Sequence, residues 1–281
     1  IKPDQLINDP GQITLTEKFS PNDPGFERPY VCYIFKQTGG GHGDLDFLDG
    51  FAQSCDVYFY KISGGYEDEV PEGLGILRLK EYARALGYDE ISGIELPGEA
   101  SGLIPDPDWK RLNAGENWGT GDTYIAGIGQ GYVLSTPLQV LISAATLAND
   151  GKQVKPTLLK EVVDSEGKVI KSLTPTIIKD ITRDPVITVF DANGFATSEK
   201  KVVQSWVVDL LKQAMRKVVV DGTASTIFEG MSIQTAGKTG TAEYCDNVAQ
   251  ANNRCTFGNW PAHAWYVGYA PYDDPEIAVV A

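Results

Sequence analysis

Residues 236–243 of this 281-residue chain read Ala-Gly-Lys-Thr-Gly-Thr-Ala-Glu. The segment from Ile233 to Lys238 is predicted to be a β-strand, so Lys238 and Thr239 would place an ammonium group and a hydroxyl group at one sheet edge. Gly240 would let the backbone of a ligand lie close to that edge. Such an edge can bind an acyl donor by strand addition while Lys238 and Thr239 hold the donor's carboxylate. We interpret the motif as a binding site; a solvated turn with an incidental lysine is the alternative.

The elements predicted around this motif define the fold class. Two further strands, residues 263–270 and 276–281, suggest an antiparallel meander. Residues 138–147 are almost wholly apolar and follow Thr136 and Pro137, which suit the N-cap and first position of a helix, so we expect this helix at the domain centre. Helices are also predicted over 47–61, 75–86 and 198–219, a hairpin over 155–173, and turn-rich stretches over 1–46 and 88–130. The pattern predicts an α+β fold, an antiparallel sheet with helices packed on it.

Composition excludes several functional classes. The formal charge of −14 argues against nucleic acid as a partner, because a broad basic surface is missing. No apolar run reaches the roughly 18 residues that a transmembrane helix requires. No cofactor motif is present. We therefore expect a globular domain that needs no cofactor.

The cysteines and histidines give no metal-binding pattern. Cys32, Cys55, Cys245 and Cys255 form no C-x-x-C pair, and the two histidines lie far apart in sequence, so no metal site is predicted. Cys245 and Cys255 flank a polar stretch, which fits a disulfide in an oxidising compartment. Two free thiols in a loop fit this spacing equally well.

Residues 54–60 supply a second motif, Ser-Cys-Asp followed by Val-Tyr-Phe-Tyr. Ser54 and Asp56 could place a hydroxyl and a carboxylate in a cleft. Taken alone, the pair is better explained as polar residues near a helix end.

The ordered motifs together resemble the penicillin-binding protein transpeptidases. The order is Ser-x-Asp at 54–56, Gly-Gln-Gly at 129–131 with Thr-Pro-Leu-Gln at 136–139, then Lys-Thr-Gly-Thr-Ala at 238–242. The Ser-Cys-Asp form and the segments 121–132 and 268–271 look most like the class B, elongation-type enzymes, penicillin-binding protein 2. The resemblance covers most of residues 40–281 and implies the penicillin-binding, serine β-lactamase-like transpeptidase fold.

The resemblance implies a D,D-transpeptidase that cross-links peptidoglycan stem peptides through a serine acyl-enzyme and that β-lactams inhibit covalently. Ser54 would relay protons, with Lys238 nearby to favour the transfer. Thr239 would bind the substrate carboxylate, beside Gly240, and the backbone N–H of Thr241 would contribute to the oxyanion hole. Asp56 stands where the family usually has Asn.

The family's nucleophile, the serine of a Ser-x-x-Lys motif, has no match before Ser54. Ser198 and Lys201 have the right spacing, but their position in the chain order is wrong, and we interpret Ser198 as a helix N-cap. We therefore expect residues 1–281 to be a transpeptidase domain that is incomplete at both ends, without the Ser-x-x-Lys segment and the C-terminal end, and inactive alone.

Other interpretations remain open at this stage. A non-catalytic homologue could keep the groove as a peptidoglycan or β-lactam sensor or scaffold; only an enzyme requires an upstream Ser-x-x-Lys. A β-lactamase is disfavoured because no glutamate-containing deacylation motif is evident. An unrelated secreted binding domain would make the ordered motifs coincidental. The resemblance also implies the extracytoplasmic face of the cell membrane, an anchoring helix outside this chain, and a membrane glycosyltransferase partner.

Overall fold

The computed structural model describes residues 2–18, 23–191, 193–256 and 260–281. In chain order the elements are β1 (Ile7–Asp9), β2 (Gln12–Glu17), β3 (Phe26–Val31), α1 (Tyr33–Thr38), β4 (Gly43–Leu45), α2 (Phe47–Ala52), α3 (Asp56–Gly64), α4 (Ile76–Ala85), α5 (Pro107–Ala114), α6 (Thr120–Gly127), α7 (Pro137–Ala148), β5 (Lys152–Val154), β6 (Glu161–Val163), β7 (Val169–Ser172), β8 (Ile177–Asp180), β9 (Ile187–Phe190), β10 (Ala196–Lys201), α8 (Ser205–Val220), α9 (Ser225–Phe228), β11 (Ala236–Glu243), α10 (Asn247–Ala251), β12 (Ala262–Ala270) and β13 (Ile277–Val280). Within these ranges, no helix is both long and apolar enough to span a bilayer.

The predicted meander is a three-stranded antiparallel sheet in the order β11-β12-β13. Lys238 on β11 lies opposite Val267 on β12, and Tyr269 on β12 lies opposite Ala278 on β13. Helix α8 packs on β11, and α7 packs on β12 and β13. The α+β architecture with helices on an antiparallel sheet is therefore confirmed. Shorter two-stranded pairs form from β1 with β4, β2 with β3, β5 with β8, β6 with β7 and β9 with β10.

Helix α7 is the central helix that the sequence predicts. The hydroxyl of Thr136 accepts a hydrogen bond from the backbone N–H of Gln139, and the Gln139 side chain accepts one from the N–H of Thr136, which forms a capping box. Gln139 is fully buried, and its amide also donates to the carbonyls of Glu90 and Ser101. These contacts join the start of α7 to the loop before α5.

The described residues form two hydrophobic clusters. The first surrounds the start of α3 and contains Ile7, Ile13, Tyr30, Cys32, Leu45, Cys55, Val57, Tyr58, Tyr60, Val70 and Tyr124. The second lies between α7, α8 and the sheet and contains Ala85, Ala144, Leu147, Ala148, Ile181, Ile187, Val203, Val208, Met215, Ala236 and Tyr269. Ser54 immediately precedes Cys55, a member of the first cluster, and Lys238 lies two residues after Ala236, a member of the second. The two sequence motifs thus lie at the junction of the clusters.

Several segments differ from the sequence prediction. The turn-rich stretch 1–46 contains strands β1 to β4, which are short, pair with each other and each place one residue in the first hydrophobic cluster. The stretch 88–130 contains α5 and α6. Asp106 and Pro107 begin α5 with the N-cap and first-position residues that favour a helix. The hairpin predicted over 155–173 is shorter, formed by β6 and β7.

The prediction for Ser198 is wrong. Ser198 lies in the exposed strand β10, which pairs with β9, and the following helix begins at Ser205. The serine is therefore no helix N-cap, and Ser198 and Lys201 lack the helical register that would place them on one face.

Close packing of α3 against α6 generates a stability prediction. A Cβ atom added at Gly64, the last residue of α3, would lie 2.4 Å from Cε1 of the buried Tyr124. We expect Gly64→Ala to lower the free energy of unfolding by about 1–3 kcal/mol, because the ring and the helix must separate. Denaturant unfolding measures this. Gly40→Ala is the matched control, since only the Thr38 hydroxyl lies within 4 Å of the added atom. Equal effects of the two substitutions would contradict the packing argument.

Candidate active site

The backbone at Ser54 breaks the single helix that the sequence predicts over 47–61. Ser54 adopts a left-handed conformation with φ of 52°, between α2 and α3. This conformation is uncommon for a residue other than glycine, and it is held by the hydrogen bond from the N–H of Cys55 to the carbonyl of Gly50. Cys55 is the N-cap of α3, and its thiol accepts from the N–H of Tyr58. The break turns the Ser54 hydroxyl toward β11.

Lys238 meets Ser54 at this point. The Lys238 ammonium donates to the Ser54 hydroxyl oxygen at 2.8 Å and to the carbonyl of Thr239 at 2.8 Å, and it lies 5.8 Å from the ring centre of Phe51. Burial lowers the pKa of Lys238 to about 8, opposed by the negative charge of Asp56. Residues 184 positions apart in the sequence are thereby joined in one polar contact.

Asp56 faces the same site from the first turn of α3. Its carboxylate accepts a hydrogen bond of 3.0 Å from the backbone N–H of Tyr33. Burial raises the pKa of Asp56 to about 6, although this hydrogen bond and the charge of Lys238 oppose the shift. The structure therefore brings Ser54, Asp56 and Lys238 together, as the motifs suggest.

The carboxylate-binding and oxyanion residues proposed from the sequence follow Lys238 along β11. The Thr239 hydroxyl lies 2.6 Å from the hydroxyl of Thr223, which precedes α9. Gly240 is exposed, and an added Cβ would meet only the Trp265 Cβ atom, at 3.4 Å. The carbonyl of Thr241 accepts a hydrogen bond of 2.6 Å from the side-chain amide of Gln130. Thr223 has no recognisable signal in the sequence, and Gln130 is marked only by its place in the Gly-Gln-Gly motif.

A second polar cluster lies behind Ser54. Asp9, Cys32, His42 and Cys55 each offer one ligand atom, and these four atoms all lie within 4.8 Å of one another. The Cys32 and Cys55 sulfurs are 3.9 Å apart, and His42 Nδ1 lies 3.6 Å from the Cys32 sulfur and 2.7 Å from Asp9 Oδ2. Asp9 and both cysteines are at most 2% exposed.

This donor set fits a zinc ion. Tetrahedral Zn²⁺ with bonds of about 2.0–2.3 Å separates its ligand atoms by roughly 3.3–3.8 Å. The contacts that involve a cysteine, at 3.2, 3.6 and 3.9 Å, are close to this range, and the 2.7 Å His42–Asp9 contact is shorter. Four protein ligands leave no open position, so the site would be structural. Cys55 lies between Ser54 and Asp56, and an ion here would fix the peptide that carries both. The sequence-based expectation of no metal site considered only spacing, which does not reveal ligands contributed by four separate segments.

The remaining cysteines form the disulfide that the spacing left open. The Cys245 and Cys255 sulfurs are bonded, closing the loop between β11 and β12 that contains α10. Cys32 and Cys55 are free.

A Lys-Thr-Gly strand facing a Ser-x-Asp turn at a helix start matches two of the ordered motifs of the penicillin-binding proteins. The chain belongs to the penicillin-binding protein transpeptidase family. The family model for the penicillin binding protein transpeptidase domain matches residues 11–281, which confirms the resemblance and extends it toward the N-terminus.

Relatives with known names agree with this assignment. The chain is 31% identical to the peptidoglycan D,D-transpeptidase MrdA of Haemophilus influenzae, over 99% of this chain and 37% of that protein. It is similar to Pseudomonas aeruginosa PBP2 in complex with WCK 5153, at 28% identity and a TM-score of 0.69, over 100% of this chain and 51% of the other. It also resembles, at 26% identity and a TM-score of 0.67, a chain from a peptidoglycan synthase complex that coordinates polymerization and crosslinking, over 100% of this chain and 38% of the other. The predicted likeness to penicillin-binding protein 2 is confirmed, and the chain spans little more than a third of the length of MrdA.

The buried cluster predicts zinc binding. We expect the purified protein to retain about one equivalent of zinc, because two thiols, an imidazole and a carboxylate complete a tetrahedral set. His42→Ala should lose the ion, and mass spectrometry of the metal content after gel filtration measures this. His263→Ala, at the other histidine of the chain, is the matched control and should keep it. Stoichiometric zinc in the His42→Ala protein would contradict the site.

Proposed function

We propose that this chain is part of a peptidoglycan D,D-transpeptidase that cross-links stem peptides through a serine acyl-enzyme and is acylated by β-lactams. The observation that carries the proposal is the 2.8 Å hydrogen bond from the Lys238 ammonium to the Ser54 hydroxyl, beside an open strand edge. A nucleophile is required to complete this site. We infer that a Ser-x-x-Lys segment upstream of Ile1 in the full-length polypeptide supplies it.

An apolar cavity supports an upstream segment. Lys2 and Pro3, the first described residues, line a cavity together with Tyr58, Trp206 and Leu211. A helix preceding Ile1 would bury its apolar face here, and Tyr58 lies about one helical turn after Ser54. The same helix would bring its N-terminal side chains near Ser54 and Lys238.

Each site residue then has a chemical role. The upstream serine attacks the carbonyl of the donor peptide, and its proton passes to the upstream lysine. Ser54 relays a proton to the leaving amine, because its hydroxyl accepts from Lys238 and can donate in turn. The carboxylate of Asp56 compensates the charge of Lys238 and replaces the amide that most relatives have in this position.

The strand edge would bind the substrate. Lys238 and the Thr239 hydroxyl, supported by Thr223, would hold the donor's terminal carboxylate. In an antiparallel strand the N–H and carbonyl of one residue point to the same side. The carbonyl of Thr241 faces Gln130 and not β12, so the Thr241 N–H also points into the cleft, where it can stabilise an oxyanion.

The compartment and partners follow from this substrate. Peptidoglycan is assembled outside the cytoplasmic membrane, and the Cys245–Cys255 disulfide suits an oxidising environment. We infer a position at the extracytoplasmic face, with an anchor elsewhere in the polypeptide. A membrane glycosyltransferase partner is supported by the synthase complex that contains a similar chain.

Intact-mass spectrometry with benzylpenicillin tests the proposal. We expect the full-length polypeptide to gain one adduct on a serine upstream of Ile1, and residues 1–281 alone to gain none, because the neighbour of Ser54 is the Lys238 ammonium, which donates to the hydroxyl and cannot take its proton. Lys238→Ala in the full-length protein should slow acylation by about 100-fold or more, from lost electrostatic and proton-transfer assistance. Ser225→Ala, a serine outside the proposed machinery, is the matched control. An unacylated full-length protein would favour the sensor or scaffold alternative, and an adduct on Ser54 or Ser198 would contradict the assigned roles.

The lowered pKa of Lys238 predicts a pH dependence. The ammonium form donates to Ser54 and binds the substrate carboxylate, so acylation should fall as the pH rises through about 8, the pKa of Lys238. In the Lys238→Arg variant the side chain stays charged at all these pH values. Its acylation should be slower overall, and the rate should not fall above about pH 8. Acylation rate constants between about pH 6.5 and 9.5 measure the effect. If the arginine variant shows the same decrease in acylation rate at high pH, the decrease comes from the titration of another group.

A further inference from the structure

We propose that Gln130 is a gate for the acyl donor: its side-chain amide occupies the backbone acceptor on β11 that the donor's own amide must use. The inference rests on the proposed function and adds a residue that controls which donors enter. It is carried by the hydrogen bond from Gln130 Nε2 to the carbonyl of Thr241, at 2.6 Å.

The contact lies on the open edge of β11. Lys238 donates to the carbonyl of Thr239 and Gln130 donates to that of Thr241, so two alternate carbonyls of β11 have partners from the cleft side. Alternate residues of an antiparallel strand direct both backbone groups to the same edge. A donor peptide that adds to this edge as a strand pairs its amide N–H with these carbonyls. In the absence of a donor, Gln130 supplies an equivalent amide N–H.

The backbone of Gln130 is held by neighbouring residues, whereas its side-chain amide is held, among the described residues, by the one hydrogen bond to Thr241. Gly129 and Gly131 flank it with φ of 75° and 72°, and the Gln130 N–H donates to the carbonyl of Ile125 at 3.0 Å. These contacts end α6. Helix α6 is in turn fixed to α3, because the Tyr124 hydroxyl donates to the carbonyl of Gly65 at 2.5 Å. The glutamine therefore extends across the cleft from the side that carries Ser54.

Opening the gate requires only a side-chain rotation. Gln130 is half-buried, so part of its side chain faces solvent and water can solvate its amide once it leaves Thr241. A donor with an amide exchanges one hydrogen bond for another, whereas a donor without one leaves Gln130 in place. Removal of the glutamine amide should thus favour amide-bearing donors by about two- to tenfold, the equilibrium effect of one net hydrogen bond.

Two substitutions at Gln130 separate the effect of its hydrogen bond from the effect of its side-chain size. Gln130→Met keeps a flexible side chain of similar size without the N–H donor, and Gln130→Ala removes the side chain as well. Gln250→Met, at a glutamine in the disulfide loop, is the matched control. The probes are benzylpenicillin, which carries a side-chain amide, and penicillanic acid, which has the same bicyclic nucleus and carboxylate without that amide. The rate constants for acylation of the full-length protein are compared, with thermal unfolding to verify the fold of each variant.

We expect both Gln130 variants to accelerate acylation by benzylpenicillin about two- to tenfold and to leave the rate with penicillanic acid unchanged. If Gln130 had only a structural role, its substitution would not change the ratio of the acylation rate with benzylpenicillin to that with penicillanic acid. An unchanged or lower ratio overturns the gate, as does equal acceleration with both probes, which indicates steric opening. If the unmodified full-length protein is acylated by neither probe, the proposed function fails and the gate with it; normal acylation with no change in the ratio overturns the gate alone.

Discussion

The hydrogen bond between the Lys238 ammonium and the Ser54 hydroxyl is the contact on which the arrangement of the site depends. Its two residues adjoin different hydrophobic clusters, one around the start of α3 and the other between the sheet, α7 and α8. The position of each atom is therefore set by how one cluster packs against the other. The same packing removes water from Lys238, which lowers its pKa and makes the ammonium more ready to give up a proton. The Gln130–Thr241 hydrogen bond connects the same two parts of the molecule further along β11.

Behind this contact, the conformation of Ser54 is maintained by Cys55. A left-handed serine persists only where the surrounding structure determines it. Cys55 provides this restraint twice, as the N-cap of α3 and as a member of the buried cluster with Asp9, Cys32 and His42. Buried polar groups must be paired with each other or with an ion, because an unpaired one destabilises the fold. The chain thus couples the stability of the first cluster to the geometry of the contact between Ser54 and Lys238.

Local patterns in the sequence predict much of this fold. Thr136, Pro137 and the apolar run after them define α7, and the strand-forming segments near the C-terminus define the sheet. Other elements have weaker local signals. Strands β1 to β4 depend on pairing with each other and on the burial of Ile7, Ile13, Tyr30 and Leu45 in the first cluster. The apolar pattern after Phe47 predicts a continuous helix through Ser54, although Ser54 and Asp56 also suit a helix end. The helix predicted to begin at Ser198 starts seven residues later, because residues 196–201 pair with β9 as a strand.

Residue order and local periodicity are enough to predict the resemblance to the transpeptidases, the α+β class and the motifs around Ser54 and Lys238, because both are properties of the chain alone. Folding in three dimensions is needed to bring together Asp9, Cys32, His42 and Cys55, to bond Cys245 with Cys255, and to place Thr223 and Gln130 against β11. Each of these contacts joins separate secondary-structure elements or loops. Their distances are set by the packing of the two hydrophobic clusters and the pairing of strands, which spacing along the chain does not specify.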